Sequence, residues 1–309
     1  MEIIFILFIA LAVDLIFGEP GNRLHPVAWL GQLTFLEMKL APEKGRLAQL
    51  IYGISIVLIT LAAITALTYF LILYLQDVNS LIYVVVAGIL LKFTFSLRGL
   101  AQAVAAVKGL LAQDNLDAAR IYSRSLVSRD TADLDENQLM SAAMESAAEN
   151  SCDSFVAPLF YFMFFGVPGA VAYRVINTFD AMIGYHGELE YLGKFAARLD
   201  DVVNFIPARI TALLIVLAAW VCRKNTSQAW HIMMRDHKKT KSPNAGWTMS
   251  AIAGALGIRL EKTGHYQLGD DRCSLSLDTM DDSVRVIIVA SIIWSFLFII
   301  AEVVYFVAA

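Results

Sequence analysis

The run from Leu47 to Leu75, LAQLIYGISIVLITLAAITALTYFLILYL, contains no charged side chain. It is longer than the roughly 20 apolar residues that carry a helix across a bilayer. Within hydrocarbon every backbone N–H and C=O must be satisfied internally, so such a segment is a helix or part of a closed barrel. Its length and unbroken hydrophobicity select the helix. Val284–Val307 is a second long apolar stretch, and shorter ones occupy Glu2–Phe17, Leu81–Leu97, Phe155–Ile176 and Ile206–Cys222. The chain is 58% hydrophobic and 17% charged, with a mean hydropathy of +0.62, which places it outside the balance of a soluble domain. The expected fold is all-α: a polytopic helical membrane protein with about four to six membrane segments, some broken or re-entrant. No repeat or flexible linker divides it, so residues 1–309 read as a single integral membrane domain with cytoplasmic loops at about 18–46, 98–154 and 223–283.

Orientation follows Lys and Arg rather than net charge. The turn Gln76–Ser80 has neither, whereas Gly18–Arg46, Arg98–Arg129 and Arg223–Arg285 are rich in both and are expected to face the cytoplasm. Simple alternation then puts Asn177–Phe205 outside. Pro158 and the GVPGA stretch (Gly166–Ala170) interrupt the fourth segment, and a broken helix there would keep Asn177–Phe205 near the cytoplasmic side. Glu2–Phe17 has no basic leader and no small-residue cleavage site, and reads as a retained anchor. Cys152, Cys222 and Cys273 are an odd number without metal-ligand spacing, and read as packing residues.

Polar residues gather at the edges of these segments. In MESAAENSCDSFVAPLF, Glu145, Glu149 and Asp153 recur every four residues and share one face of a helix, where like charges repel. Asp133 or Asp135 is placed to cap that helix. No Lys or Arg occurs from Asp130 to Tyr173, so the compensating charge must come from elsewhere. A solvated surface face would explain the acids in a soluble protein; next to an apolar run, acids facing a bundle point to function. Hard oxygen donors without His or Cys suit Mg²⁺ shared with phosphate oxygens.

A second group comprises Asn177 and Asp180, three apart, and Asp200 and Asn204, four apart, with Asp201, Arg174, Arg198 and Arg209 nearby. Ion pairing explains it structurally; functionally, it would be the other half of a metal and phosphate site. SRSLVSRDT places Arg124 and Arg129 beside hydroxyls, a pattern suited to phosphate. KSPNAGW and LEKTGHY offer Asn244 as a cap for the helix expected over Ala245–Leu260, and Lys262 and His265 around Gly264. Near the first segment stand Asp14, Arg23 and His25. The chain has no P-loop, no dinucleotide fingerprint and no H-E-x-x-H.

The segments DLIFGEP, LHPVAWLG, SRSLVSRDTADLD, ESAAENSCDSFVAPLF, AYRVINTFDAMIGY, ARLDDVVNFIPARITAL and SPNAGWTMSAIAGALGIRLEKTGHYQLG together resemble the CobD/CbiB family, over roughly Asp14 to Gly269. These are membrane-bound adenosylcobinamide-phosphate synthases of cobalamin biosynthesis. The resemblance implies ATP-dependent ligation of adenosylcobyric acid, a corrinoid, to an amino-alcohol phosphate such as aminopropanol O-phosphate. It implies Mg²⁺ held by Glu149, Asp153 and Asp200, with Glu145, Glu149, Asp180 and Asp201 as catalytic acids. Arg23, His25, Arg124, Arg129, Arg174, Asn177, Asn204, Arg209, Asn244, Lys262 and His265 would bind substrate and phosphate. The implied setting is the cytoplasmic membrane, multi-pass, with the active site facing the cytoplasm. The expected partners are lipid and these substrates, with homo-oligomers or association with other membrane enzymes of the pathway, and no nucleic acid. A non-catalytic membrane sensor of the same family and a Mg²⁺-diphosphate-dependent membrane transferase stand as alternatives, although the N-D-x-x-D pattern of the latter is missing.

Overall fold

The computed structural model describes residues 2–127, 129–184 and 190–308. In chain order the helices are α1 (Glu2–Phe17), α2 (Pro26–Lys39), α3 (Arg46–Val78), α4 (Ser80–Lys92), α5 (Leu97–Leu111), α6 (Leu116–Ser123), α7 (Glu136–Ser151), α8 (Ala157–Ile183), α9 (Glu190–Val203), α10 (Phe205–Val221), α11 (Thr226–Asp236) and α12 (Ala245–Leu256). A short antiparallel hairpin, β1 (Leu260–Lys262) and β2 (Tyr266–Leu268), precedes the last helix, α13 (Leu277–Ala308). Among the described residues four helical runs are long and apolar enough to cross a membrane: Arg46–Val78, Ser80–Leu111, Glu136–Ile183 and Leu277–Ala308. Glu190–Val203 and Phe205–Val221 make a fifth if they form one broken span. The protein is therefore a polytopic helical membrane protein, as its hydropathy requires. At 16 residues α1 falls short of the bilayer core at 1.5 Å per residue.

Contacts divide the chain into two compact units, Met1–Ser96 with Ala157–Asn204 and Ile299–Ala309, and Leu97–Val156 with Phe205–Phe298. In the first, α3 packs on α8 and α9, α2 on α8, and α1 on α4. Leu30, Ile56, Val57, Val175, Phe179, Ile183, Leu192 and Ala196 form its buried cluster. Gly53 permits the close approach of α3 to α9, since a Cβ there would lie 2.0 Å from the Leu192 carbonyl oxygen. The break foreseen at GVPGA is present: Gly166 has φ 63° and ψ −161° inside α8, a conformation essentially reserved for glycine.

In the second unit α7 begins with a capping box in which Asp135 and Gln138 exchange side-chain and backbone bonds. The helix expected over Ala245–Leu260 ends at Leu256, where Gly257 takes the left-handed conformation, and the residues after it form the hairpin. Asn244 does not cap α12 with its side chain. The Ser242 hydroxyl does, accepting from the Asn244 and Ala245 amides at 3.2 and 3.3 Å. Gly254 lets α12 lie against α11, because a Cβ would meet the Gln228 carbonyl at 2.4 Å.

The hairpin's exit is fastened by Asp236 at the end of α11. Its buried carboxylate takes bonds from Arg235 at 2.8 Å, from Lys239 at 2.6 Å and from the Gly269 amide at 2.8 Å. Burial alone would raise its pKa, but the bonds from Arg235, Lys239 and Gly269 hold it down at about 2. A pKa lowered by folding contributes stability above the unfolded value, near 3.8, and that stability is lost as pH falls through 2. Asp236→Asn should therefore destabilise the protein at pH 7 by about 2 kcal/mol, less than a wholly buried pair would, because Arg235 and Lys239 reach solvent. Thermal melting in detergent at stepped pH should show the gap between variant and wild type closing between pH 4 and 2.

Candidate functional site

Glu145 lies on α7 and is 5% exposed. Removing a carboxylate from water costs several kcal/mol unless donors replace the solvent. Ser141, one turn earlier on the same helix, donates to Oε1 at 2.5 Å. The Tyr266 hydroxyl, brought by β2, donates to Oε2 at 2.8 Å. Arg129 Nη2 stands 3.4 Å from both oxygens, and its Nη1 donates to the Glu261 carbonyl at 3.1 Å. Ser141 Oγ also accepts the Glu261 amide at 2.8 Å, so the hairpin is tied to α7 on both sides of the carboxylate. Burial, then the charge and hydrogen bond of Glu145, push the Tyr266 phenol far above its ordinary pKa, so it stays a donor.

This network corrects one expectation. The helical wheel presented Glu145, Glu149 and Asp153 as an open acidic face, yet Leu139 to Ala148 are buried on every side of α7, Glu145 included. Glu149 and Asp153 are only partly buried. After Glu149 the helix widens into a π turn, Cys152–Val156, which includes Asp153 and shifts the register of all that follows; such turns recur at functional sites. The compensating base missing from 130–173 is Arg129, one residue outside that window.

Elsewhere in the same unit Arg209 of α10 lies 3.5 Å over the Phe205 ring and 5.0 Å over Trp247, and donates to Asn244 Oδ1 at 3.1 Å. The Asn244 side chain thus serves Arg209 rather than the helix end. Arg124 is exposed and only loosely paired with Asp130 at 3.9 Å. Lys262 closes β1 opposite Tyr266, and His265 is exposed in the turn, where Gly264 has φ 75°.

The first unit joins the second polar group into a chain. Arg174 Nη1 donates to Asn177 Oδ1 at 3.2 Å, Asn177 Nδ2 to Asp200 Oδ1 at 3.5 Å, and Asn204 Nδ2 to Asp200 Oδ2 at 2.9 Å. Tyr173 completes it, donating to Asn204 Oδ1 at 2.8 Å. Asp201 pairs with Arg198 at 3.4 Å on the surface. Asp180 folds over Gly184, where a Cβ would lie 2.0 Å from its Oδ1. In the same unit His25 caps α2 and meets Glu19 at 2.6 Å, while Arg23 is exposed and receives the Trp29 indole on its carbonyl at 3.0 Å. Ser128 of SRSLVSRDT and Tyr185 at the end of YRVINTFDAMIGY lie outside the described residues.

The chain is similar to known proteins over nearly its whole length. The family profile described as CobD/Cbib protein matches residues 7–294. The chain belongs to the CobD/CbiB family. The "Cobalamin biosynthesis protein CobD" of Dehalococcoides mccartyi is 50% identical over 95% of this chain and 96% of its own length. The "Probable cobalamin biosynthesis protein CobD" of Methanothermobacter thermautotrophicus is 43% identical over 92% and 93%. A protein of the same name from Methanocaldococcus jannaschii is 38% identical over 94% and 97%. No solved structure matches the chain.

Several members of this family chain's clusters escaped sequence reasoning. Ser141, Tyr173 and Tyr266 are single hydroxyls on or beside apolar segments, and nothing in their spacing marks them. Lys92 and Glu19 carried a signal, an ammonium inside an apolar run and an acid in a Gly-Pro turn. Arg129→Gln should cost about 3 to 5 kcal/mol by stranding the buried Glu145, whereas Tyr266→Phe, which removes one bond to a charged group, should cost about 1.5 to 3. Chemical denaturation of both variants in detergent checks the order.

Proposed function

We propose that this protein is an ATP-dependent amide ligase of cobalamin biosynthesis, joining adenosylcobyric acid to an amino-alcohol phosphate to give adenosylcobinamide phosphate. Family membership supports the pathway, since the similar proteins are named for cobalamin biosynthesis. The observation that carries the chemistry is the acid set along α7 and the turn that ends it: a carboxylate fixed by Arg129, Ser141 and Tyr266, followed by the more accessible Glu149 on the last turn of α7 and Asp153 in the π turn.

A carboxylate resists amine attack until one of its oxygens becomes a leaving group. The carboxylate oxygen attacks the γ-phosphorus of ATP, ADP departs, and an acyl phosphate results. The amine then adds to that carbonyl, loses a proton and expels inorganic phosphate, leaving the amide.

The α7 acids fit Mg²⁺ in a particular sense. Among the described residues no three His, Cys, Asp or Glu side chains make a ready metal cage. Mg²⁺, however, takes one or two carboxylates and fills its shell with phosphate oxygens and water. Glu149 and Asp153 of the second unit are the residues we assign to hold it; Asp200, the third acid expected from the sequence, belongs to the first unit, where the Asn177 and Asn204 side-chain amides engage it. When bound, the ion neutralises nucleotide oxygens during phosphoryl transfer. The protein's own groups do the rest. Arg129 is oriented by Glu145 and the Glu261 carbonyl. Arg124, Arg209, Asn244, Lys262 and His265 of the second unit supply donors for phosphate. Because ATP is cytoplasmic, the acids open to that side of a cell membrane that the chain crosses several times.

Glu149→Gln and Asp153→Asn should each reduce amide formation at least about a hundredfold, while melting and detergent extraction stay as in wild type. Product is followed by mass spectrometry with saturating substrates. Turnover within twofold of wild type in both variants would sink the metal assignment.

A further inference from the structure

We propose that a cleft of about 350 Å³ in the first unit binds a small zwitterion, an ammonium joined by a short chain to a phosphate. It is lined by Glu19, His25, Phe93, Phe95, Ser96 and Arg174, among others. That the zwitterion is an amino-alcohol phosphate rests on the ligase reading; the charge pattern of the cleft does not.

The cleft lies where a membrane helix stops. Lys92 ends α4, and Phe93 to Ser96 leave helical geometry before α5. Interrupted helices at membrane depth are tolerated where they line a cavity. Lys92 and Asp14 are each 1% exposed, and the ammonium is held 3.0 Å from Asp14, 2.7 Å from Glu19 and 3.3 Å from the Phe95 carbonyl. Two carboxylates against one ammonium leave net negative charge, and it emerges at Glu19, the more exposed of the pair.

Glu19 is a fixed anion. Burial would raise its pKa, but bonds from His25, Lys92 and Ser96 bring it to about 2. His25 serves this end rather than acting on the ligand. Its Nδ1 accepts the Val27 amide at 3.2 Å, so the neutral ring carries its proton on Nε2, which donates to Glu19 at 2.6 Å.

The opposite charge in the lining is Arg174, whose Nη1 donates to Asn177. A guanidinium presents five N–H donors in a planar fork, which suits two phosphate oxygens. One cleft therefore offers a fixed carboxylate, a fixed guanidinium and two phenyl rings. Its volume is at the small end of ligand sites, far below what a corrinoid ring system needs. A short amine bearing a phosphate satisfies both charges at once.

O-phosphoethanolamine, the smallest such molecule, is also a lipid headgroup, so the test separates the two sources. Isothermal titration of the full chain in phosphatidylglycerol nanodiscs, without ATP or corrinoid, would compare O-phosphoethanolamine, ethyl phosphate and ethanolamine. The zwitterion should bind about tenfold or more tighter than either half. Arg174→Gln should weaken both phosphate ligands about 10- to 100-fold, and Glu19→Gln should reduce O-phosphoethanolamine to the level of ethyl phosphate. Ala28 also lines the cleft, and Ala28→Phe, which fills it without removing a charge, should abolish binding even if Glu19→Gln misfolds. Equal affinity for ethyl phosphate and the zwitterion, or unchanged binding in a folded Ala28→Phe, overturns the proposal. Unchanged affinity in nanodiscs containing phosphatidylethanolamine supports the free ligand, and competition by that lipid overturns it in favour of a headgroup. Zwitterion binding without amide synthesis sinks the ligase reading alone; synthesis without binding to this cleft sinks the cleft alone.

Discussion

A carboxylate held away from water demands donors, and the demand of Glu145 organises much of the second unit. Arg129 precedes α7 by a loop, Ser141 sits one turn upstream of Glu145 on α7, and Tyr266 comes from a hairpin more than a hundred residues downstream. Each is drawn to the same two oxygens. Because Ser141 also accepts the Glu261 amide and Arg129 also grips the Glu261 carbonyl, the carboxylate fixes the hairpin against the helix. A two-stranded hairpin has marginal stability by itself. Here polar bonds to α7 supplement its small apolar contact, with Leu260 and Leu268 turned inward.

The first unit solves a related problem with a different group. Lys92 would be costly inside an apolar helix, and two carboxylates from the α1 end of the chain surround it. A buried ammonium with two acids keeps charge of one sign in reserve, which the helix break then exposes to a cleft. In both units a break in regular helix occurs beside the ionised groups: the π turn after α7, which carries Asp153, and Phe93 to Ser96 after α4. Broken backbone at membrane depth needs polar company, and these ionised groups supply it.

Much of this architecture was legible in the sequence because hydrophobic length and helix signals are local. Leu47–Leu75, a cap at Asp133 or Asp135, of which Asp135 is the one that caps, and the break at GVPGA were read from neighbours a few residues apart, and so were the face-sharing pairs Asn177/Asp180 and Asp200/Asn204. What stayed hidden is non-local. The wheel could not tell that α7 would be buried all round, since alanines and serines permit close approach without announcing it. It could not foresee the π turn that displaces Asp153 either. The hairpin was missed because LEKTGHYQL is short and amphipathic only in pairs, and its strands depend on Glu145 and Ser141 for their seat. Asn244 looked like a cap from its place before α12, yet Ser242 two residues earlier reaches the same amides and leaves Asn244 to Arg209.

The central claim is that these acids serve amide synthesis. The direct measurement is to incubate the purified chain in nanodiscs with adenosylcobyric acid, aminopropanol O-phosphate, ATP and Mg²⁺, and to follow the corrinoid by mass spectrometry. The account predicts the amide, adenosylcobinamide phosphate, with one nucleotide consumed per amide formed and no product when Mg²⁺ is chelated. Unchanged adenosylcobyric acid after prolonged incubation, with both substrates shown to bind, would contradict it.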